Sequence, residues 1–496
     1  MAETAFIRAI HKIVAEGNPE AVTAELALCS ANGCDDGVLR MMGMDVKLLV
    51  MASLSVIPKA GTLLSGLTTI LWPSSTETYL RCTIEELIDE AISKNIQEQV
   101  QNTLKGLNNV LKDYQKAVDP KKGSPPTYMS EKFNVAKGAF LLSEPHFQSK
   151  GYEILLLPEF AQMANLHLAL LRDGILFGAS WGWSQADVDD LKAEMAEKIK
   201  AYTDYAKKWY QSAYDAAPWW SEPRQDSKVR EFNGKNQVAR DLTIRLLDFV
   251  ETWPYLNPVN YPDPVKVTLT REIFSDARGT TNGSIPYYGL EIDRTPKAPI
   301  TGITIWSWGV NLPIHYEDET AIEAIQVSYG GIAGPRMGAP EWSGSPEKKR
   351  DVSISAPFTV AYGLSGDIVH AVGFKNGSGQ DSGIHGGKKG RYWSYSYEGE
   401  VISSIKVMGF STYYYVADCI VFGFRFPGSY RHTVPVTVQN KDRLPLANVP
   451  VVLSAGMDQR TNPPTPTDVI ATQRTDGSGR TTFNIPLPTS TGNVCF

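Results

Sequence analysis

A long run with almost no charged side chains lies in the first half of the chain. From Ile154 to Leu171 the one formally charged residue is Glu159, and Arg172 and Asp173 then close the run. A helix that is apolar on all sides must be buried in a large protein core or in a lipid bilayer. A helix over Pro158–Gly178 would be about 31 Å long, close to the ~30 Å thickness of a hydrocarbon layer. We therefore expect a central helix that can occupy either environment.

Three polar residues, Gln162, Asn165 and His167, interrupt this apolar run, which a simple membrane anchor would avoid. In one interpretation they are core groups that hydrogen-bond to neighbouring helices, since a buried polar group without a partner costs about 1–3 kcal/mol. In the other they face a water-filled path across a membrane, where intramembrane polar groups usually lie. Both can hold in successive states, and we expect the first in the soluble form.

The composition is that of a globular protein and excludes some partners. The chain has 496 residues, of which 42% are hydrophobic and 21% are charged. This length is typical of about two to four domains. The net charge of −6 argues against a nucleic-acid partner and against adsorption to anionic membranes. The first residues show no basic segment followed by an apolar one, so no secretory signal is visible and we expect synthesis as a soluble protein.

Five scattered cysteines and seven single histidines give little support for a metal or catalytic site. Cys29 and Cys34 could pair or bind a metal, but no second ligand pair follows at zinc-site spacing. We expect unpaired thiols and no metal. The sequence contains no HExxH, GxSxG or phosphate-loop motif, and the Gly-rich stretch 383–390 lacks phosphate-loop spacing. We therefore predict a protein that is not an enzyme and needs no cofactor.

The chain divides into two regions with different sequence patterns. Up to about Trp253 apolar residues recur at helical spacing, whereas from about Pro264 short β-rich runs alternate with Gly, Ser and Pro clusters. We predict a helical domain followed by β domains. The predicted helices are Glu3–Ala15, two short helices within 46–71, Tyr79–Val118, Tyr128–Glu144, Pro158–Gly178, Gln185–Tyr214 and Ser227–Val250. Ser184 and Asp187 form a candidate capping box for the helix that begins at Gln185.

Four blocks of sequence resemble the pore-forming domain of the three-domain Cry δ-endotoxins. They are Asn165-Leu-His-Leu-Ala-Leu-Leu-Arg-Asp173, Tyr202-Thr-Asp-Tyr205, Leu242-Thr-Ile-Arg-Leu-Leu-Asp248 and Leu269-Thr-Arg-Glu-Ile273. In that family the corresponding blocks belong to the central helix, the helix after it, the last helix and the crossing into the β region. Their order and spacing are preserved over about Val46–Asp276, so the helical half of the chain is similar to this family.

Beyond Asp276 the resemblance changes. Runs such as Ile303-Thr-Ile-Trp-Ser-Trp308 resemble a jacalin-like β-prism, and the segment from Val434 to the end resembles a bacterial Ig-like module. The expected fold class is multidomain α plus β. It comprises a seven-helix-type bundle around a central apolar helix, a β-prism and a terminal Ig-like β-sandwich. The expected domains are an N-terminal extension over 1–45, a helical pore-forming domain over 46–258, a β-prism over 259–430 and an Ig-like domain over 431–496.

The resemblance implies a pore-forming insecticidal toxin that is released from a bacterium and acts at the target-cell membrane. Its partners would be an insect gut receptor, either protein or glycan, and the lipid bilayer, with a homo-oligomer in the pore state. The segment 128–178 would insert as a helical hairpin. Cleavage by a trypsin-like protease at Arg40 would free the bundle, and an unprocessed extra helix is the alternative. The competing hypothesis is a surface lectin or adhesin whose helical domain is a rigid spacer.

The resemblance also implies roles for individual residues. The membrane-inserting or pore-lining residues would be Glu131, Lys132, Lys137, Asn165 and His167, and Glu144 would share the water-facing side of its helix. The interhelical salt bridges would use Arg172, Asp173, Asp204, Arg240, Arg245 and Asp248, unless these residues form solvated surface pairs. The receptor or glycan contacts would use Tyr413, Tyr414, Tyr415 and Asp418, unless the aromatic side chains fill the β-prism core.

Overall fold

The computed structural model separates into two compact units, one within Met1–Trp220 and Gly234–Leu269, the other within Ser221–Asn233 and Thr270–Phe496. The residues that it describes are 54, 59–71, 93–218, 225–262, 267, 269, 271–281, 299–309, 320–339, 348–397, 399–409, 416–427, 431–441, 444–458 and 465–486. The predictions for Glu3–Ala15, Cys29, Cys34, Arg40 and Tyr413–Tyr415 lie outside the described residues, as does the first part of the helix predicted over Tyr79–Val118.

The described first half of the chain is helical, as predicted. Its helices are α1 (Thr62–Leu71), α2 (Lys94–Val118), α3 (Pro126–Ser143), α4 (Leu157–Phe177), α5 (Gln185–Asp215), α6 (Ser227–Leu242) and α7 (Asp248–Thr252). The single helix predicted over Ser227–Val250 is interrupted, because residues Thr243–Leu247 adopt π-helical geometry between α6 and α7. The capping box that was predicted to begin α5 is present, with the Ser184 and Asp187 side chains each bonded to the other's backbone amide.

Helix α4 is the centre of the first unit. Every residue from Leu157 to Gly174 is buried, polar and charged residues included. The surrounding helices each bury one apolar stripe, which is the pattern of amphipathic helices that pack around a core. In α2 the stripe recurs at three- and four-residue spacing and comprises Val100, Leu104, Leu107, Leu111, Tyr114 and Val118. The predicted central apolar helix is therefore the buried member of a bundle.

Two glycines show how closely the bundle is packed. A Cβ atom added to Gly174 of α4 would lie 2.5 Å from both Phe133 of α3 and Leu191 of α5, so these neighbours approach the α4 backbone directly. By contrast, a Cβ atom added to Gly138 of α3 would have no neighbour within 4 Å. The absence of a side chain is required at the first position and not at the second.

None of the helices within the described ranges combines the length and the apolar character needed to cross a membrane. The central helix is long enough, since its 21 residues span about 31 Å. It carries Glu159, Arg172 and Asp173 in addition to its neutral polar residues. The polar content of α4 therefore matters as much as its length for what the helix can do.

The second unit consists of antiparallel sheets. In chain order the strands are β1 (Ile273–Phe274), β2 (Arg278–Gly279), β3 (Ile300–Gly309), β4 (Thr320–Tyr329), β5 (Ile332–Gly338), β6 (Lys348–Asp351), β7 (Phe358–Ser365), β8 (Val369–Asn376), β9 (Asp381–Gly386), β10 (Arg391–Tyr395), β11 (Val401–Met408), β12 (Cys419–Arg425), β13 (Arg431–Thr437), β14 (Pro450–Asp458), β15 (Thr465–Arg474) and β16 (Arg480–Pro486).

Three four-stranded sheets account for the strands up to β12. Their orders are β1-β12-β11 with β2 also paired to β12, β5-β4-β3-β6, and β10-β7-β8-β9. Three sheets are what a β-prism contains, so the middle region agrees with the expected architecture. The last strands form two separate pairs, β13 with β16 and β14 with β15. The prediction of helices followed by β domains is confirmed.

The two glycines give the first prediction. Replacing Gly174 with Ala should lower the free energy of unfolding of the helical unit by about 1–3 kcal/mol, because the added methyl group overpacks a filled site. Replacing Gly138 with Ala should raise it by up to about 1 kcal/mol, because alanine is the better helix former and has free space there. Urea unfolding followed by circular dichroism at the helical band measures both. Equal effects of the two substitutions would contradict the close packing at Gly174.

Candidate functional site

The candidate site is the helical hairpin formed by α3, the 3-10 turn Glu144–Gln148 and α4. Helix α3 buries Phe133, Ala136 and Phe140. The Phe140 ring stacks on the His167 imidazole of α4, with the ring centroids 4.9 Å apart and the planes 3° from parallel. The two arms of the hairpin thus share an apolar contact along their buried faces.

Asn165 lies in the middle of α4 and is completely buried. Its side-chain carbonyl accepts a hydrogen bond of 2.8 Å from the indole nitrogen of Trp253, and its amide donates to Gln162 Oε1 at 3.3 Å. A buried amide without such partners would cost about 1–3 kcal/mol. In this state Asn165 is therefore a core group that ties α4 to the turn after α7.

His167 begins a chain of polar side chains that leads out of the core. Its Nδ1 lies 2.7 Å from the Tyr202 hydroxyl of α5, which lies 3.1 Å from Glu144 Oε2 at the end of α3. Lys198 of α5 contacts the same carboxylate oxygen at 2.6 Å. Because a carboxylate can only accept, the Tyr202 hydroxyl donates to Glu144 and accepts from His167 Nδ1–H. This chain connects both arms of the hairpin to α5.

The imidazole of His167 is held in its neutral form. Its other ring nitrogen, Nε2, is buried and has no hydrogen-bond partner. Burial lowers the pKa of His167 to about 3, and the positive charges of Lys198 and Lys137 act in the same direction. A proton on Nε2 would be a charged, unpartnered donor inside the core, which is strongly unfavourable.

Arg172 and Asp173 are buried near the end of α4 and bind neutral groups of the surrounding bundle. The Arg172 guanidinium donates to the Leu256 carbonyl at 2.9 Å. The Asp173 carboxylate accepts from the Gly61 backbone amide at 2.6 Å and from the Tyr114 hydroxyl at 3.0 Å. Burial raises the pKa of Asp173 to about 7, although both hydrogen bonds and the Arg172 charge favour the ionised form. Arg172 therefore gives α4 a second tie to the turn Trp253–Leu256, and Asp173 ties it to two further segments, at Gly61 and in α2.

Two of the other residues predicted to form interhelical bridges have an ion-pair partner four residues away in the same helical segment. Asp204 is exposed and pairs with Lys200 of the same helix at 2.5 Å. Arg245 forms an ion pair of 3.1 Å with Asp241, four residues earlier. Residues four apart on a helix face each other, so such local pairs form readily. Arg240 and Asp248 are buried, and their roles as interhelical bridges stay predictions.

Two ion pairs between α3 or its end and α5 were not predicted. Lys137 contacts Glu194 at 2.6 Å, and Glu144 contacts Lys198 at 2.6 Å. The expectation that Lys137 and Glu144 lie on the water-facing side of α3 is corrected accordingly, because both bind α5. The sequence contained a signal for these two pairs. Lys137 and Glu144 are seven residues apart at α3, and Glu194 and Lys198 are four residues apart on α5. Residue numbers rise from the first pair to the second on both helices, as they do for two parallel helices in contact.

The solvent-facing side of α3 is mixed rather than charged. The Glu131 side chain is exposed, while the Lys132 side chain is partly buried. Large apolar side chains accompany them on this side, with exposed fractions of 50% for Val135 and 80% for Leu142. The surface of the hairpin in this state is therefore neither a simple polar face nor a simple apolar one.

The comparisons with known proteins agree with this architecture. Residues 49–257 match the family described as delta endotoxin, N-terminal domain. The chain is 31% identical over 257 residues to pesticidal crystal protein Cry7Aa of Bacillus thuringiensis. The aligned region covers 50% of this chain and 22% of that protein. It is 30% identical over 301 residues to pesticidal crystal protein Cry1Ad of Bacillus thuringiensis subsp. aizawai, covering 58% of this chain and 24% of that one.

The crystal structure of the insecticidal delta-endotoxin Cry8Ea1 from Bacillus thuringiensis resembles the whole fold. Its TM-score is 0.59 at 16% sequence identity, and the match covers 99% of this chain and 95% of that chain. Residues 49–257 of the chain belong to the delta-endotoxin N-terminal domain family. At this low identity the structural likeness establishes the fold alone. The chain also spans only about a quarter or less of the two curated relatives.

The predicted receptor residue Asp418 is completely buried. Its backbone amide donates to the Met408 carbonyl at 2.8 Å, and its carbonyl accepts from Thr280 at 3.0 Å. The prediction that Asp418 accepts hydroxyls of a sugar is therefore corrected, because solvent does not reach its carboxylate. The described residues also contain no group of three or more side chains suited to hold a metal ion.

Asp173 gives a pH-dependent prediction. Its folded-state pKa of about 7 is above its ordinary value of 3.8, so it contributes stability that is complete below pH ~4 and is lost as pH rises through ~7. Asp173→Asn should remove this loss. Between pH 4 and pH 8 the free energy of unfolding of the variant should therefore rise by about 3–4 kcal/mol relative to that of the wild type. Urea unfolding at several pH values measures the difference. A difference that does not change with pH would show that Asp173 is ionised in the folded protein at all of these pH values.

His167 gives the opposite dependence. Its folded-state pKa of about 3 is below its ordinary value of 6.5, so its stability contribution is present above pH ~6.5 and is lost as pH falls toward ~3. The double variant His167→Phe/Tyr202→Phe removes both hydrogen-bonding partners without leaving one orphaned. As pH falls from 7 to 4, the free energy of unfolding of the double variant should rise by a few kcal/mol relative to that of the wild type. Tyr202→Phe alone is the control and should retain the pH dependence of the wild type.

Proposed function

We propose that this protein is a pore-forming toxin that acts on insect gut cells by inserting the α3–α4 hairpin into their membrane. The observation that carries the proposal is a helix of membrane length that is enclosed by other helices. Helix α4 has 21 residues, about 31 Å, and all of its residues up to Gly174 are buried. A helical hairpin can enter lipid because its backbone hydrogen bonds are internal. The curated relatives are named as pesticidal proteins, which supports the same function.

The polar residues of α4 favour an assembled pore over a single anchor. Asn165, His167, Arg172 and Asp173 each have at least one hydrogen-bond partner elsewhere in the bundle. After release from that bundle they would need water or protein partners, since intramembrane polar groups are costly when they face lipid. Several copies around a water-filled lumen meet this need. We therefore propose a homo-oligomer in the pore state, with Asn165 and His167 toward the lumen.

The ties between the hairpin and α5 would be the contacts that break on insertion. Lys137 with Glu194, Glu144 with Lys198, and Tyr202 with His167 and Glu144 all join the hairpin to α5. The ion pairs are partly covered, with side-chain exposures between 18% and 27%. Removing one partner of a covered pair leaves a poorly solvated charge. Separation of the hairpin from α5 would therefore have to break these ties together.

The second unit would bind the receptor, and the target would be the membrane of a gut cell. We propose a protein or glycan receptor there, with Tyr413–Tyr415 as one candidate contact, and a mechanism without covalent catalysis. The protein would be made in soluble form and released by a bacterium, and cleavage at Arg40 would precede insertion. A lectin or adhesin with a helical spacer is less well supported. A spacer has no need for a central helix with so many separate polar ties.

The test is dye release from neutral phosphatidylcholine vesicles, before and after trypsin and at several pH values. The variant Lys137→Cys/Glu194→Cys is joined by a short bismaleimide that contains a disulfide. The cross-linked protein should release little dye, because α3 cannot leave α5. Cleaving the cross-linker with dithiothreitol should restore release to the level of the unlinked variant. The same variant without cross-linker is the matched control, since it lacks the ion pair but not the freedom to separate.

Two results would contradict the proposal. Equal release by the cross-linked and the reduced protein would show that the hairpin does not need to leave α5. Absence of release under every condition, both from these vesicles and from vesicles made with insect gut membrane, would exclude pore formation. Glycan binding with no release would then favour the lectin hypothesis.

A further inference from the structure

The outward face of the sheet β10-β7-β8-β9 carries an organised group of side chains. The register places Ser394, Tyr362, Gly373 and Ile384 side by side in one row across the four strands. The adjacent row begins with Tyr392, which pairs with Leu364. The opposite face of the same sheet is the core side, where Trp393 and Phe374 contact Phe422. The two rows therefore lie on the side of the sheet away from that core.

Glycine at position 373 shapes the centre of this face. A Cβ atom there would lie 2.5 Å from the Tyr362 ring, so the ring lies directly over the glycine backbone. The Tyr362 hydroxyl donates a hydrogen bond to the Asp381 carboxylate. Lys375 lies 3.4 Å from the other Asp381 oxygen and 5.6 Å from the centroid of the Tyr362 ring. A flat aromatic ring is thus joined to an acid and a base at one end of the face.

Tyr362 is buried, and the other members of the group are open to solvent. Tyr392 is 66% exposed and Ile384 is 47% exposed, which is unusual for large apolar side chains on a sheet. The Tyr392 ring lies 6.4 Å from the Tyr362 ring, so the two aromatic side chains are neighbours. The Asp381 side chain is 43% exposed, and the Gly383 amide donates to it at 2.9 Å. Its orientation is therefore set before any ligand arrives.

We propose that this face, formed by Tyr392, Tyr362, Lys375, Asp381 and Ile384, binds a neutral oligosaccharide. The apolar face of a sugar ring can stack on the exposed Tyr392, as aromatic side chains with one wet side do at interfaces. A carboxylate that accepts and an ammonium that donates suit the hydroxyls of the next ring. Both groups are already oriented, which reduces the entropy lost on binding.

Size and charge define the ligand further. Tyr392 and Asp381 lie on the two edge strands, β10 and β9, and Tyr362 lies between their side chains, next to the Tyr392 ring and bonded to Asp381. A ligand that contacts both Tyr392 and Asp381 has to reach past Tyr362, which favours two or more sugar rings. The acid and base of the group balance each other, so the face does not select a charged ligand. A lipid surface would leave the Asp381 and Lys375 charges without water, which disfavours it as the occupant.

This site would supply the receptor contact of the proposed toxin, so the inference rests on the proposed function. The test measures binding of the full chain to immobilised neutral oligosaccharides of two to four rings, ending in galactose, N-acetylgalactosamine, mannose or N-acetylglucosamine. Tyr392→Ala and Asp381→Asn should each weaken binding about tenfold or more, as loss of a central contact does. Tyr392→Phe keeps the ring and should stay within about threefold of the wild type. Ile332→Ala is the matched control, because Ile332 is 57% exposed on another sheet.

Several outcomes would overturn the inference. The first is that the chain binds none of these oligosaccharides. The second is that Tyr392→Ala and Asp381→Asn leave the binding unchanged. The third is that the chain binds glycan-free phosphatidylcholine vesicles in a way that depends on Tyr392. Dye release from glycan-free vesicles separates this inference from pore formation. Release with no oligosaccharide binding would remove the glycan site and leave the pore. Normal release by Tyr392→Ala together with lost oligosaccharide binding would support both proposals.

Discussion

The helical unit depends on keeping the polar groups of α4 satisfied in the absence of water. Apolar burial alone would let the central helix rotate or slide, because dispersion and hydrophobic contacts have little direction. Its polar side chains remove that freedom, since each has one acceptable orientation. Asn165 and Arg172 bind the turn Trp253–Leu256. His167 binds α5, and Asp173 binds Gly61 and α2. The surrounding segments are thereby held in register with α4 as well as packed against it.

This arrangement also explains how a stable bundle could open abruptly. Each polar tie is strong because the core around it is dry, and a hydrogen bond exposed to water contributes far less. When one covering helix moves away, water reaches the remaining ties and weakens them at the same time. The chain from His167 through Tyr202 and Glu144 to Lys198 reaches the edge of the core. Water would therefore enter first along α5, from which the hairpin separates in the proposed mechanism.

Much of the helical architecture could be predicted from the sequence, because local rules determine it. The α5 capping box requires only Ser184 and Asp187 at the right spacing, and α4 was identified by its lack of charge. The partners of polar residues could not be predicted in the same way. Asp173 binds the amide of Gly61 and the hydroxyl of Tyr114, which are distant in sequence and carry no formal charge. An assumption that charges pair with opposite charges therefore fails for Asp173.

The β region shows a related limit. Aromatic residues near Asp418 could be identified in the sequence as candidate sugar ligands, yet Asp418 is buried. The exposed Tyr392 was not identified, because its neighbours Tyr362 and Asp381 come from other strands. The alternation of strand residues shows which side chains share a face, but only the strand order shows which faces meet. That order, β10-β7-β8-β9, is not consecutive in the sequence.

The two buried titrating groups of α4 have a joint consequence for the whole unit. Over the range from pH ~4 to ~6.5 the folded state holds one proton more than the unfolded state at Asp173 and one proton fewer at His167. The two differences cancel, so folding neither takes up nor releases a proton at this pair. Each group separately makes the bundle sensitive to acidity, and together they compensate. For this pair, a mildly acidic medium and a nearly neutral one are equivalent, so these two groups together do not make the bundle sensitive to acidification over that range.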